Sequence, residues 1–355
     1  MTDEKDTKGG GESTLTVLVA MGANAGIGVL KLVAGIFTGS AAMYAEAAHS
    51  VADTATEVLL LTALKRSDRK PDRRHPFGYG KERYFWSLLA AVGIFVTGAL
   101  FSIYQGVEGL LHPHREVSGR EFLVSYVVLG VAFLLEGSSL AKALRQLNGE
   151  ARILRRGLLE QLRRSNDPTV KTVASEDSAA VAGLLLAAAG LVLHQLTGSG
   201  VFDAAASMAI GLLLAWIAYS LGRDTKELLI GESADPELRL DIMALLIGYD
   251  GVTGLLDMLT MQLSPEHVLV AAKVDFRDHL GAAEIERLCN RIERDLQEKF
   301  PVVTHLYLDP TSPTREQLTD AEDVDRLVAS QTNADFEERV AAADSLTDGS
   351  WRRSA

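Results

Sequence analysis

Residues 40–61 read SAAMYAEAAHSVADTATEVLLL, and the reading of this stretch decides the fold. It is long and mostly apolar, yet it carries Glu46, His49, Asp53 and Glu57. A bilayer-spanning helix needs about 20 apolar residues, and an ionisable group inside one costs about 2.5–3.5 kcal/mol on insertion scales. The spacing i, i+3, i+7, i+11 puts these four side chains within roughly 80° of one another on one helix face, at about 100° per residue. A row of carboxylates with one imidazole suits a divalent cation. The other reading is a polar face packed against a neighbouring helix.

Working outward, further apolar segments of spanning length are Leu15–Phe37, Tyr84–Leu111, Glu121–Leu144, Thr172–Leu196 and Val201–Gly222, which with Ala41–Leu64 make six. The positive mean hydropathy of +0.12 over 355 residues agrees with a chain partly in lipid. Residues 1–13 are acidic and Gly-rich, unlike a signal peptide or an Arg-rich targeting segment, so a bacterial plasma membrane is the expected location. The loops at 66–83 and 145–171 are strongly basic, whereas 112–120 holds only Arg115 and Arg120. Basic loops stay cytoplasmic, which puts both chain ends on that side.

Other classes fall away on composition. A hydrophobic content of 47% excludes global disorder, and a lone cysteine, Cys289, excludes a disulfide scaffold. The net charge of −12 argues against nucleic-acid binding. It is concentrated late: residues 223–355 hold 14 basic and 27 acidic side chains, residues 1–222 hold 21 and 20. No His-Glu-x-x-His motif or serine–histidine constellation lies within the spans, so an enzyme is not expected.

After Arg223 the periodicity changes. Pro236–Gly248 and Ala282–Phe300 read as amphipathic helices, and Leu255–Leu263, His267–Phe276 and Val302–Leu308 as strands. That order suggests a small ferredoxin-like α+β domain. The expected organisation is therefore a disordered tail (1–13), a six-span α-helical membrane domain (14–222), a cytoplasmic ferredoxin-like domain (223–313), whose role in dimerisation is implied only by the resemblance given below, and an acidic flexible tail (314–355).

In the fifth span Glu176 and Asp177 are adjacent and point about 100° apart, so one can face a metal site while the other cannot. The sequence favours neither. Small residues around them allow close approach of another helix. Asn24, Lys31, Glu108, Glu136 and Asp203 read as ion-pair or interface residues, and His112 and His114 as solvated loop or capping histidines.

Read together, these residues resemble the cation diffusion facilitator (cation efflux) family of proton-coupled metal exporters. The carriers are GSAAMYAEAAHSVADT (Gly39–Thr54), HPFGYGKERYFW (His75–Trp86), DPTVKTVASEDSAAVAG (Asp167–Gly183), FDAAASMAIGLLL (Phe202–Leu214) and LLIGESADPEL (Leu228–Leu238). The likeness is to the branch with an adjacent Glu-Asp in the fifth span, which includes a mitochondrial animal member. It implies a homodimer with a metal site between spans two and five, in which His49, Asp53 and Asp177 match ligand positions. The family's further fifth-span histidine falls on Val173, which leaves Glu46 and Glu176 as candidates for the fourth ligand. Asp72 and His75 match part of a second, loop-borne metal site, with Tyr79 in place of a histidine. In the cytoplasmic domain Asp309 matches a ligand position but Tyr307 replaces a bridging histidine.

The implied function is efflux of a divalent ion, Zn²⁺ ahead of Mn²⁺, Fe²⁺ or Co²⁺, in exchange for protons. No cofactor is implied; the metal is cargo. Partners are a second copy, metal ions, protons and the lipid bilayer. The rival expectation is a non-transporting membrane metal sensor or scaffold acting through its cytoplasmic domain.

Overall fold

A computed structural model describes residues 9–112, 119–153, 157 and 168–312. The chain forms two compact units, divided between Ile230 and Gly231.

The first unit is helical. Helix α1 (Gly9–Thr38) ends at Gly39, whose φ of 65° only glycine adopts without strain. The Ser40 hydroxyl then caps α2 (Ala41–Ser67) by accepting from the Met43 N–H at 3.1 Å. Next comes one rod in three pieces: α3 (Glu82–Gly93), a π-helical stretch (Ile94–Leu100) and α4 (Phe101–Leu111). The long helices α5 (Gly119–Ile153), α6 (Pro168–Thr197) and α7 (Val201–Ile230) complete the unit. Among the described residues, four rods are long and apolar enough to cross a membrane: Glu82–Leu111, Arg120–Gly149, Lys171–Thr197 and Val201–Ile230. Helix α1 contributes a shorter apolar stretch, Asn24–Thr38, and α2, with its row of ionisable residues, is not among the four. Large apolar side chains such as Leu134, Leu196 and Trp216 point outward, as lipid-facing residues do.

Glycine lets the rods touch. A Cβ on Gly211 of α7 would lie 2.8 Å from the Ile103 nitrogen and 2.9 Å from the Ala99 oxygen, so α7 lies directly against the third rod. Within that rod the Thr97 hydroxyl donates back to the Gly93 carbonyl at 2.7 Å, beside the π stretch where the regular ladder loosens.

Two sequence expectations change at the edges. Helix α1 starts at Gly9, inside the stretch read as a disordered tail, and α7 runs past Gly222 to Ile230, its buried side continuing through Leu221, Thr225 and Leu228. The tail beyond 313 and His114 lie outside the described residues.

The second unit has the expected element order: α8 (Pro236–Ile247), β1 (Val252–Ser264), β2 (His267–Phe276), α9 (Ala282–Lys299) and β3 (Val303–Pro310). Its three strands lie in the order β1-β2-β3, the first pair antiparallel and the second parallel, with α9 as the crossover. Strict alternation along β2 buries Val268, Val270, Ala272 and Val274. They join Ile242 and Leu246 of α8 and Leu288, Ile292 and Leu296 of α9 in one core. Asp235 and Pro236 open α8, the Asp235 carboxylate accepting from the Glu237 N–H at 2.9 Å.

Candidate metal centre in the membrane unit

The polar row of α2 faces inward. Glu46 and His49 are buried, His49 being only 1% exposed. The start of α2 is held by α7: Asp203 accepts from the Ser40 hydroxyl at 2.7 Å and from the Ala41 N–H at 2.6 Å, placing a carboxylate at the positive end of the helix.

Along this row the four residues meet different partners. His49 Nδ1 lies 3.4 Å from Asp53 Oδ1, yet both ring nitrogens and that oxygen are buried without a hydrogen-bond partner. Glu57 accepts from the Asn24 amide at 2.6 Å, and its Oε2 is unpartnered. Glu46 is engaged by Lys31 of α1, whose Nζ lies 2.8 Å from Glu46 Oε2 and 2.7 Å from Glu136 Oε1 of α5. The expectation of an ion pair or interface for Asn24, Lys31, Glu136 and Asp203 agrees with these contacts.

Helix α6 supplies the facing side. Glu176 is 6% exposed, its Oε1 has no partner, and it sits at the Thr56 hydroxyl of α2. Two turns later on the same face, Gly183 passes so close to Glu46 Oε1 that a Cβ there would collide with it. Between these two points α6 carries the small, buried Ala179 and Ala180. Asp177 turns instead to α5 and accepts from the Ser139 hydroxyl at 3.0 Å. Val173 is 38% exposed and reaches no ligand. Thr56 and Ser139 did not stand out in the sequence, because a hydroxyl in a span is ordinarily satisfied by its own helix.

An imidazole with two free nitrogens and carboxylates with bare oxygens, shut away from water, form a donor set for a divalent cation. Among the described residues, no three His, Cys, Asp or Glu side chains are yet drawn together closely enough to hold an ion.

The loop residues are arranged otherwise. Asp72 Oδ1 accepts from the Arg74 and His75 N–H groups at 2.8 and 2.7 Å, and Oδ2 accepts from the Tyr79 hydroxyl at 2.8 Å. The Tyr79 hydrogen bond, then the backbone donors, hold the Asp72 carboxyl below the usual carboxylate range. The His75 ring rests against Tyr79 at 4.3 Å, and the Arg69 guanidinium covers the same ring at 4.5 Å. Asp72 here organises a turn closed by Gly78 at a φ of 84°. His112 lies 3.1 Å from Glu108 at the exposed end of α4.

Residues 17–230 match the model of the cation efflux transmembrane domain, and residues 234–309 that of the cation efflux protein cytoplasmic domain. Among similar proteins, the mitochondrial proton-coupled zinc antiporter SLC30A9 of Xenopus laevis is 34% identical over 293 residues, covering 81% of this chain and 51% of that protein. Metal tolerance protein C4 of Arabidopsis thaliana is 36% identical over 240 residues, covering 66% and 51%. The cation-efflux pump FieF of Klebsiella pneumoniae is 23% identical over 288 residues, covering 80% and 88%. The chain thus spans about half the length of the first two relatives.

Proposed function

The chain belongs to the cation diffusion facilitator family, and we propose that it exports divalent metal ions, zinc foremost, in exchange for protons. The observation that carries this reading is the pair of unpartnered His49 nitrogens beside Asp53 in the interior of a membrane unit. Leaving such groups bare in an apolar environment is costly unless a ligand visits them.

His49 and Asp53 bind the cargo from α2, and the Glu176–Asp177 pair answers from α6. Glu176 is the α6 acid that meets α2, at the Thr56 hydroxyl, and Asp177 is the residue that the family pattern matches. A nitrogen and two carboxylate oxygens fit tetrahedral Zn²⁺ with a water or a further oxygen. The zinc antiporter name of the SLC30A9 relatives points the same way. Binding draws the α2 and α6 ligands together around the ion. His49 must be deprotonated to bind, so metal loading releases protons and protonation on the far side expels the ion. The basic loops support six spans with both ends cytoplasmic, and rocking of the spans exposes the site to either side.

Support for a homodimer comes from the sheet of the second unit. On the face away from the helices, Leu259, Ala271 and Tyr307 stand in one cross-strand row, with Met261, Leu269 and His305 in the next. Leu259 is 65% and Tyr307 54% exposed, an apolar strip that a second copy would cover. The Xenopus laevis relative is designated mitochondrial, and the location assigned to this chain is an integral membrane one.

The test is flux in proteoliposomes with an imposed pH gradient and Zn²⁺, Mn²⁺, Fe²⁺ and Co²⁺ offered in turn. Gradient-driven zinc uptake that vanishes in folded Asp53→Ala supports the antiporter. Undiminished flux in that variant removes Asp53 from the site, and no flux of any ion in folded wild type favours the sensor or scaffold.

A further inference from the structure

We propose that Lys31 is a specificity-determining positioning residue, whose ammonium, anchored on Glu136, withholds the Glu46 carboxylate from the cargo ion and so keeps the site poor in oxygen ligands. The inference rests on the transport reading above, in which the ion sits at His49 and Asp53.

Lys31 is 0% exposed, and both its acidic partners come from other helices: Glu46 from α2 and Glu136 from α5. A lysine at such depth is costly to desolvate unless it is paired. One ammonium thus ties together carboxylates from two different helices. Each carboxylate also keeps one buried oxygen with no partner, Glu46 Oε1 and Glu136 Oε2.

The triad borders the ion's position. Glu46 precedes His49 by one turn on the same face of α2, and the charge of Lys31 acts on both His49 and Asp53. Glu46 Oε1 points at Gly183, into the same α2–α6 groove that Glu176 enters two turns earlier. Only the second oxygen, held by Lys31 at 2.8 Å, keeps this carboxylate from turning toward the ion.

Charge and ligand chemistry give the consequence. Neutral His49 with Asp53 and Glu176 offers two negative charges, matched to one divalent ion. A freed Glu46 would add a third charge and one or two more oxygens. Oxygen-rich sites suit Mn²⁺, whereas nitrogen with few oxygens suits Zn²⁺.

The experiment is competitive Zn²⁺ and Mn²⁺ flux in proteoliposomes with wild type, Lys31→Met, Lys31→Arg and the double variant Lys31→Met/Glu46→Gln, each shown to be folded and monodisperse. Lys31→Met is expected to shift the zinc-to-manganese preference toward manganese by about tenfold or more. The double variant, in which Glu46 carries no charge to release, is expected to return to the wild-type preference, and Lys31→Arg to stay near it. A Lys31→Met protein that loses both fluxes in proportion, with the ratio unmoved, makes Lys31 merely structural and overturns the proposal. If Lys31→Met does not fold, the double variant decides alone: retained zinc preference supports the proposal, and a dead or manganese-preferring double variant refutes it. Wild-type flux that does not depend on Asp53 would instead sink the transport reading on which the inference stands.

Discussion

Asp203 fixes the start of the helix that carries the site, and its removal has a magnitude that follows from its contacts. Its two oxygens accept from the Ser40 hydroxyl at 2.7 Å and the Ala41 N–H at 2.6 Å, all of them buried. Hydrogen bonds to a charged acceptor contribute about 1.5–3 kcal/mol each, so Asp203→Ala should destabilise the membrane unit by about 3–6 kcal/mol. Asp203→Asn keeps one acceptor oxygen and should lose about half of that. Ser40→Ala removes one of the bonds and also the cap on the Met43 N–H, itself worth about 0.5–2 kcal/mol. The shared Ser40–Asp203 bond should then appear as a coupling of about 1.5–3 kcal/mol in the double-variant cycle. Equilibrium unfolding in mixed micelles reads these differences. A loss below about 1 kcal/mol for Asp203→Ala, or no coupling with Ser40, would refute the view that α7 holds α2 by this carboxylate.

Further expectations concern the site, the packing and the second unit. Glu176→Gln should lower zinc flux by more than the ~100-fold that removal of a supporting residue costs, and Asp177→Asn by less, because Asp177 bonds Ser139 of α5; the reverse order would assign the ligand to Asp177. Gly211→Ala would press a Cβ against the Ile103 Cγ1 at 2.7 Å and against backbone atoms at 2.8–2.9 Å, so thermal unfolding in detergent should show a loss of about 1–3 kcal/mol or more. Tyr249 donates to Asp295 at 2.9 Å, and burial, with that carboxylate, pushes its phenol up to about 12. The folded pKa is raised, so its contribution to stability is complete below the ordinary value of 10.0 and is lost as pH rises toward 12. Asp295→Asn should bring the tyrosinate transition part-way down in an ultraviolet titration, leaving the share due to burial.

The parts legible in the sequence were those governed by local periodicity. The inward row of α2 follows from spacing alone. The second unit reads correctly because alternation in β2 and the Leu288, Ile292, Leu296 stripe of α9 are strong signals. What sequence could not supply is which groups meet across helices. Lys31 lies 105 residues from Glu136, and no local rule joins them or diverts Glu46 from His49. Adjacent Glu176 and Asp177 must diverge, but which one faces α2 depends on the packing of α5 beside α6. The turn at Asp72 was likewise hidden, since its acceptors are filled by backbone donors and by Tyr79 seven residues on.

The most direct measurement is a zinc-loaded structure with anomalous scattering recorded at the zinc edge. The expected result is a peak within the membrane unit about 2.0–2.2 Å from a His49 ring nitrogen and from carboxylate oxygens of Asp53 and an α6 acid, with Glu46 still held by Lys31. A protein that transports zinc yet binds it away from His49 and Asp53 would contradict the proposed site.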